Sequence, residues 1–370
     1  MRVVLLLTQD LGGPVDLTVS VARELSGRPG GPDLTVVGPA PASLGGRPWS
    51  LLRPLHVRSK TDLSGVAAAG RLIRGLAPDI IHAQDRRAGL VASLMAGQTP
   101  VVLTFHGVPD VAAGRWVQGG PLHGRSPGLA GSSRMVADAV IARRVTCTIA
   151  PSNAIAAFLR TELRVPPGQV RVLTNGVAIP RRPLARREVL IFATAGGFAP
   201  SKATPLLVEA FAPLALSRPG VRLIMIGDGQ DRGRCQEIAR RAGVADQVEF
   251  TGYRADVGPE LARADAFVLP SLNENLPLAL LQAMAAGLPC IAADVGGVSE
   301  ALGGGSGLLI TPGSIGELRA AMLQLISQPE LGIRLAAAAR SRAAQQFSLP
   351  RCADEHLRLW ADVLARQQRR

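Results

Sequence analysis

Short apolar runs alternate with longer stretches of helical period along the whole chain, and this rhythm constrains the fold more than any other feature. Val3 to Leu7, Leu34 to Val37, Ile80 to Ala83, Val101 to Phe105 and Thr146 to Ala150 are continuous, rich in β-branched residues and short. Runs of that kind read as parallel strands buried on both faces. Between them, Val15 to Leu25, Val66 to Leu76, Ala88 to Ala96 and Asn153 to Leu163 read as helices. The repeated alternation means βαβ units and an α/β class with a doubly wound sheet. The second half repeats it, with strands predicted at Val189 to Thr194, Val221 to Ile226, Gln247 to Thr251, Asp265 to Leu269, Pro289 to Ala293 and Leu308 to Ile310. Ile315 to Arg370 predicts two or three helices, the last begun at Ser348-Leu349-Pro350.

A chain of 370 residues exceeds one ordinary domain of roughly 100 to 200 residues, so two are expected. The polar, Pro-containing stretch from Arg181 to Arg187 is the predicted linker. It divides residues 1–183 from 184–347, and the final helix, 348–370, is expected to pack back on the first domain. With 47% hydrophobic and 19% charged residues, both halves can bury sizeable cores, which excludes a disordered chain. The net charge of +13 invites a nucleic-acid reading. However, the excess is Arg scattered along helices, and aromatics at 3% with one Tyr leave no stacking platform for single strands. No nucleic-acid partner is expected, and peripheral contact between a basic face and an anionic membrane is the remaining lipid association. No stretch approaches the roughly 20 apolar residues of a span, and MRVVLLLTQD has neither the h-region nor the cleavage site of a signal peptide. Cys147, Cys235, Cys290 and Cys352 form no CxxC pair, so neither zinc nor a disulfide framework is supported. A reduced, cytoplasmic protein follows, peripheral at most at the inner face of the membrane.

The polar residues worth naming sit just after strands, where an open α/β sheet binds ligands and helix N-termini favour anions. They concentrate between Ala264 and Glu300, where a strand, a turn with Glu274, a helix begun near Pro277, a second strand and the Gly296-Gly297 turn follow one another. In the first half, Gly12 and Gly13 follow the first strand, His82 and Gln84 the third, and His106-Gly107 the fourth. A Gly-Gly turn is often only a turn and a single His often structural; two His at successive strand ends raise the odds of a site. Ser152 or Asn153 caps the helix after IAPSN, and Asn175-Gly176 reads as a tight turn needing positive φ. GDGQDRG, with glycines at 227, 229 and 233, departs from the G-x-G-x-x-G fingerprint, so a nicotinamide cofactor loses support. Gly107 to Arg134 lacks a sustained period and carries Arg115, Trp116, His123 and Arg125, which suits a loop over an acceptor.

Read in order, Gly12-Gly13, PDIIHAQ (Pro78 to Gln84), TFHG (Thr104 to Gly107), APSN (Ala150 to Asn153), TNGV (Thr174 to Val177), GGFAPSKA (Gly196 to Ala203), MIGDG (Met225 to Gly229), FTGY (Phe250 to Tyr253) and GGVSE (Gly296 to Glu300) make the chain resemble the retaining glycosyltransferases of family 4. The resemblance covers nearly the whole length. It implies a GT-B fold, two Rossmann-like domains facing across a crevice, and transfer of a sugar from a nucleotide-diphosphate sugar to an acceptor hydroxyl with retention and without metal or other cofactor. The acceptor, whether glycan, lipid-linked sugar or small molecule, stays open. It places Lys202 and the N–H groups of Gly12, Gly13, Gly296 and Gly297 on the donor phosphates. Glu274, Asn275 and Leu276 fall on the donor sugar, and Gln282, Tyr253, Arg254 and Gly227 on the nucleotide. His106 and Glu274 are the catalytic candidates. The bland alternatives are that Glu274 caps the helix at Pro277 and that Lys202 is a solvated helix-start residue.

Three positions depart from the family pattern: Gln282 stands for its second Glu, Gly197 for a phosphate-binding Arg, and Asn275 for a Gly. Charge-assisted hydrogen bonds are roughly twice as strong as neutral ones, so Gln282 costs about 1 kcal/mol of donor affinity. These departures motivate an alternative, a catalytically weak relative that binds nucleotide sugar or a partner without turnover. An epimerase or phosphorylase would share the fold but has no specific motif here.

Overall fold

A computed structural model describes residues 1–59, 62–108, 129–181 and 189–369. The chain divides into two compact units, and the break after Gly176 precedes the predicted linker. The linker residues 182–188 and most of the expected acceptor loop lie outside the described residues.

The first unit is built on seven parallel strands: β1 (Arg2–Leu6), β2 (Asp33–Gly38), β3 (Leu52–Pro54), β4 (Ile80–Ala83), β5 (Val101–Thr104), β6 (Cys147–Ala150) and β7 (Val170–Val172). Their order is β3-β2-β1-β4-β5-β6-β7, with Leu5 level with His82 and His82 level with Val102 across the centre. β4, β5 and β6 are buried at every position, which is why they read as unbroken apolar runs. Helices α1 (Gly13–Ser26), α2 (Leu63–Leu76), α3 (Arg86–Met95), α4 (Leu129–Arg144) and α5 (Asn153–Thr161) connect them. Val4, Leu6, Ile81, Val91, Leu103 and Ile141 form one core cluster, each worth about 1.5–3 kcal/mol of apolar burial. The C-terminal helix, Leu349–Gln367, belongs to this unit and buries Cys352, Ala353, His356, Trp360 and Val363, spaced to share one face. Arg28 beside α1 holds it through an ion pair with Asp354.

The second unit has six parallel strands, β8 (Ile191–Ala195), β9 (Arg222–Ile226), β10 (Val248–Gly252), β11 (Ala266–Leu269), β12 (Cys290–Ala293) and β13 (Leu308–Ile310), in the order β10-β9-β8-β11-β12-β13. Its longer helices are α6 (Thr204–Ser217), α7 (Arg232–Arg241), α8 (Leu278–Ala286), α9 (Ile315–Ser327) and α10 (Pro329–Gln346). Asp265 accepts hydrogen bonds from the amides of Leu190 and Ile191, at 3.1 and 2.8 Å, and so fixes the entry of β8 against β11. All four cysteines are buried and free.

Several expectations are corrected. The stretch from Val170, which reads as a strand leading into Asn175-Gly176, forms β7 over Val170–Val172, and the short edge strand β3 has no expected counterpart in the sequence. Helix α4 begins inside the stretch read as irregular, because Gly131, Ser132 and Ser133 are weak helix formers that mask its start. Gly176 does not adopt positive φ, since Asn175-Gly176 does not close a two-residue hairpin but leads out of a parallel strand. Ser152, not Asn153, is the cap of α5, its hydroxyl accepting from Ile155 N.

Candidate functional site

Each sheet reverses its strand order once, between β8 and β11 in the second unit and between β1 and β4 in the first. Such switch points open a crevice beyond the carboxyl ends of the strands, and the expected site residues lie at both.

In the second unit, Lys202 closes a turn of 3-10 helix after β8, and Glu274 lies in the turn after the neighbouring β11. Lys202 Nζ donates to Glu274 Oε1 at 2.6 Å, and Ser271 Oγ donates to the same oxygen at 2.7 Å. The two loops are also tied by main chain, with Ser201 O accepting from Leu272 N at 2.8 Å. The Glu274 carboxylate is 7% exposed and the Lys202 side chain 31% exposed. A nearly buried carboxylate is thus compensated by an ammonium that still reaches solvent and has three donors, one of them taken. Helix α8 has no side-chain cap, so Glu274 is not its cap, and Lys202 is an ion-pair partner rather than a merely solvated residue.

Gly296 and Gly297 follow β12 and pack on the same turn. A Cβ on Gly296 would fall 1.9 Å from Glu274 O, at φ +54°, so only glycine fits. Gly297 N donates to Asn275 O at 2.6 Å. That corrects the expectation that both glycines offer free N–H groups to a phosphate: the amide of Gly297 is taken by Asn275. Leu276, expected on the donor sugar, is 3% exposed and its side chain belongs to the hydrophobic core. Gly296→Ala should therefore cost at least about 2 kcal/mol in urea unfolding, against about 1 kcal/mol for Gly304→Ala, where φ is +69° but the space is open. Equal losses would mean that the close approach to Glu274 does not constrain the loop.

The next strand ends hold the nucleotide candidates. Gly227, after β9, donates its N–H to Gly252 O at 2.9 Å, and its missing Cβ leaves room for Gly196 O. This brings the turns after β8, β9 and β10 together, beside the exposed Tyr253. Arg254 is engaged with the buried Glu260. Gln282 sits half-buried in α8. Lys202, Glu274, Asn275, Gly296 and Gly297 thus form one cluster, and Gly227, Tyr253 and Arg254 a second on the adjoining strand ends.

In the first unit, Gly12 adopts φ +105° as it opens α1 beside Gly13. His106 follows β5, its Nε2 3.5 Å from Gln84 Oε1. Burial and the nearby His356 hold its imidazole down at about pKa 3, so it is neutral and its ring nitrogens are available as one donor and one acceptor. His82 is part of the core instead, bonded to Thr104 Oγ1 at 2.7 Å. The sequence reading missed Ser271, which shares the Glu274 oxygen, and Asp85, which caps α3 and receives the Thr8 amide and hydroxyl, each at 2.7 Å. The cap signal of an Asp before Arg86-Arg87-Ala88 marks Asp85 as a helix start, whereas its bond to Thr8 has no local signature. Among the described residues no three His, Cys, Asp or Glu side chains gather into a metal-ligand set.

Residues 11–181 match the protein-family model described as Glycosyltransferase Family 4, and residues 189–328 match the one described as Glycosyl transferases group 1. The MMP alpha-(1->4)-mannosyltransferase of Mycolicibacterium hassiacum is 26% identical over 350 residues, 86% of this chain and 83% of that protein. The D-inositol 3-phosphate glycosyltransferase of Stackebrandtia nassauensis is 36% identical over 219 residues, 55% of this chain and 49% of its own length. Among solved structures, the sucrose-phosphate synthase of Thermosynechococcus elongatus superposes with a TM-score of 0.82 at 19% identity, covering 98% of this chain and 99% of that one. Anabaena HepE in complex with UDP and glucose gives 0.79 at 21% identity, covering 98% and 99%. These likenesses establish the GT-B fold.

Proposed function

The chain belongs to the family 4 glycosyltransferases, and from that premise we propose that it moves a sugar from a nucleotide-diphosphate donor to an acceptor hydroxyl, with retention and without a metal. The observation that carries this reading is the Lys202–Glu274 pair at the switch point of the second sheet. In the reaction the bond from the anomeric carbon to the diphosphate breaks through an oxocarbenium-like state, and the leaving oxygen gains charge. Lys202, with the turn at Gly296, neutralises that diphosphate, which is the largest task open to the protein in such a transfer; in the first unit the α1 start at Gly12-Gly13 is the other candidate for phosphate. Glu274 orients the donor sugar through its hydroxyls, and the backbone of Asn275 and Leu276 supports the same sugar. Tyr253, Arg254, Gly227 and Gln282 address the nucleotide. Neutral His106 hydrogen-bonds the donor sugar or the acceptor hydroxyl. The UDP in the HepE structure makes uridine diphosphate sugars the first donors to try.

No described helix is long and apolar enough to cross a membrane. A peripheral contact with anionic lipid is compatible with the +13 charge and is part of the proposal only as a setting for a lipid-linked acceptor.

A thermal-shift screen across uridine, guanosine and adenosine diphosphate sugars tests the donor class: stabilisation by one of them and by none of the free monosaccharides is expected, and no shift with any would overturn the reading. Gln282 gives a graded check. Restoring the carboxylate in Gln282→Glu should tighten the donor Kd about three- to tenfold by calorimetry, the worth of a charge-assisted over a neutral hydrogen bond. An unchanged Kd would remove Gln282 from the ribose.

A further inference from the structure

β4 lies between β1 and β5 in the first sheet, so the turn after β4 faces the exits of both neighbours. Two consecutive residues where that turn enters α3, its cap Asp85 and its first residue Arg86, reach in opposite directions. Asp85 takes the β1 exit, binding Thr8 through both of its oxygens. Arg86 takes the β5 exit. Its Nη1 donates to Asp138 Oδ2 of α4 at 3.0 Å, and its Nη2 points at Gly107 O, 3.5 Å away. Its Cζ lies 5.6 Å from the centre of the Phe105 ring. Phe105 and Gly107 are the two chain neighbours of His106.

His106 itself is weakly held, with the 3.5 Å approach to Gln84 as its side-chain contact. Its place therefore depends on the backbone on either side. We propose that Arg86 is the positioning residue for the His106 segment: it anchors Phe105 and Gly107 on one guanidinium and is itself fixed by the buried Asp138 carboxylate. The inference rests on the reading of His106 as a substrate-facing group.

The residue type follows from the geometry. A guanidinium is a planar fork that can hydrogen-bond at one end, stack on an aromatic face and still present a second nitrogen, whereas an ammonium is a point charge on a flexible stem. Asp138, with a side chain 1% exposed, accepts a charge-assisted hydrogen bond from Arg86 and so holds the guanidinium toward α4. The clamp links three segments far apart in sequence, the β4 exit, the β5 exit and α4. Positioning of this kind matters because a displacement of about 1 Å at a reacting group can cost a hundredfold in rate.

The test compares wild type with Arg86→Ala, Arg86→Lys and Asp138→Asn, with Arg144→Ala as a surface control. Amide hydrogen exchange by mass spectrometry on the ligand-free full chain reads the peptide spanning 101–108. Arg86→Ala should raise its exchange rate tenfold or more and leave β8–β13 unchanged. Asp138→Asn should loosen the same peptide, Arg86→Lys should restore part of the protection, and the control should match wild type. Unchanged exchange in Arg86→Ala overturns the clamp. In steady-state turnover of the nucleotide sugar picked out by the donor screen, Arg86→Ala should lower kcat tenfold or more with KM within twofold. A raised KM at unchanged kcat would instead make Arg86 a direct ligand contact and overturn the positioning role. His106→Ala is assayed beside it: full activity there overturns the premise about His106, while the exchange measurement, which needs no substrate, judges the clamp separately.

Discussion

Lys202→Ala is expected to lower kcat/KM for the nucleotide-sugar donor by about 10²- to 10³-fold, the cost of removing one preorganised donor from a developing anion. The expectation comes from where Lys202 sits. It ends the turn after β8 and donates to Glu274 at the switch point, while the side chain keeps 31% exposure through which an anionic ligand can reach it. Two effects have to be separated. Removing the cation takes a charge from the donor phosphates, and it also leaves a nearly buried carboxylate with Ser271 as its remaining side-chain donor. The second effect should cost about 1–2 kcal/mol of stability, less than for a fully buried pair because the lysine is partly hydrated. Glu274→Gln isolates the sugar contact, since a Gln keeps an acceptor for Ser271 and frees Lys202. The double variant Lys202→Ala/Glu274→Ala should be less impaired than the product of the two single losses, because the residues act as a unit. Kinetics with the screened donor and urea unfolding measure both parts. A fall in kcat/KM below about threefold would place Lys202 away from the phosphates.

The architecture was readable because these strands are buried on both faces, which writes them as continuous apolar runs: β4, β5, β11 and β12 are fully buried. What blurred was local and weak. β3 is a three-residue edge strand, too short for any period to show, and the start of α4 is hidden by Gly131-Ser132-Ser133. Lys202 and Glu274 could each be marked from their places after strands, but their pairing joins residues 72 apart and is made only by the adjacency of β8 and β11. Asp85 and Arg86 precede the stretch from Ala88 that reads as a helix, and nothing local marks their tertiary contacts. Their partners Thr8 and Asp138 lie 77 and 52 residues away, so the two-sided role exists only once β4 stands between β1 and β5. Leu276 shows the reverse error: motif register placed it on the ligand, while the apolar demand of the core claimed its side chain.

The basic, Arg-rich surface distracts from the more consequential titratable groups, two histidines inside the first unit. His82 is fully buried and bonded to Thr104 Oγ1, and His356 is 4% exposed with Nδ1 2.8 Å from Cys352 O. Their ring centres are 5.5 Å apart, and Trp360 packs against both, at 5.8 and 5.6 Å. The titratable groups that face His82 are His356 and His106, so no carboxylate offsets a proton there. Burial depresses His356 to about 4 and holds His82 well below the ordinary histidine value, where the other two imidazoles add to the effect. Above pH 6.5 folded and unfolded chains both hold these rings neutral, and the pair contributes nothing. As pH falls below 6.5 the unfolded chain takes up protons that the folded unit refuses, so stability declines until the folded pKa values are reached. His106, held at about 3, refuses its proton over the same range, so between pH 6.5 and 5 the three rings together cost about 5 kcal/mol, a little under 2 kcal/mol each. The carboxylates held low by their partners, such as Asp62 at about 2, titrate below this window. Urea unfolding followed by tryptophan fluorescence should show a midpoint that drops steeply from pH 7 to 5, and His356→Leu should remove about a third of that slope while detaching little of the helix at pH 8, since Trp360 remains as its anchor. A midpoint indifferent to pH over this range would mean that the two rings are not buried as neutral bases, and the docking of the C-terminal helix on His82 would have to be abandoned.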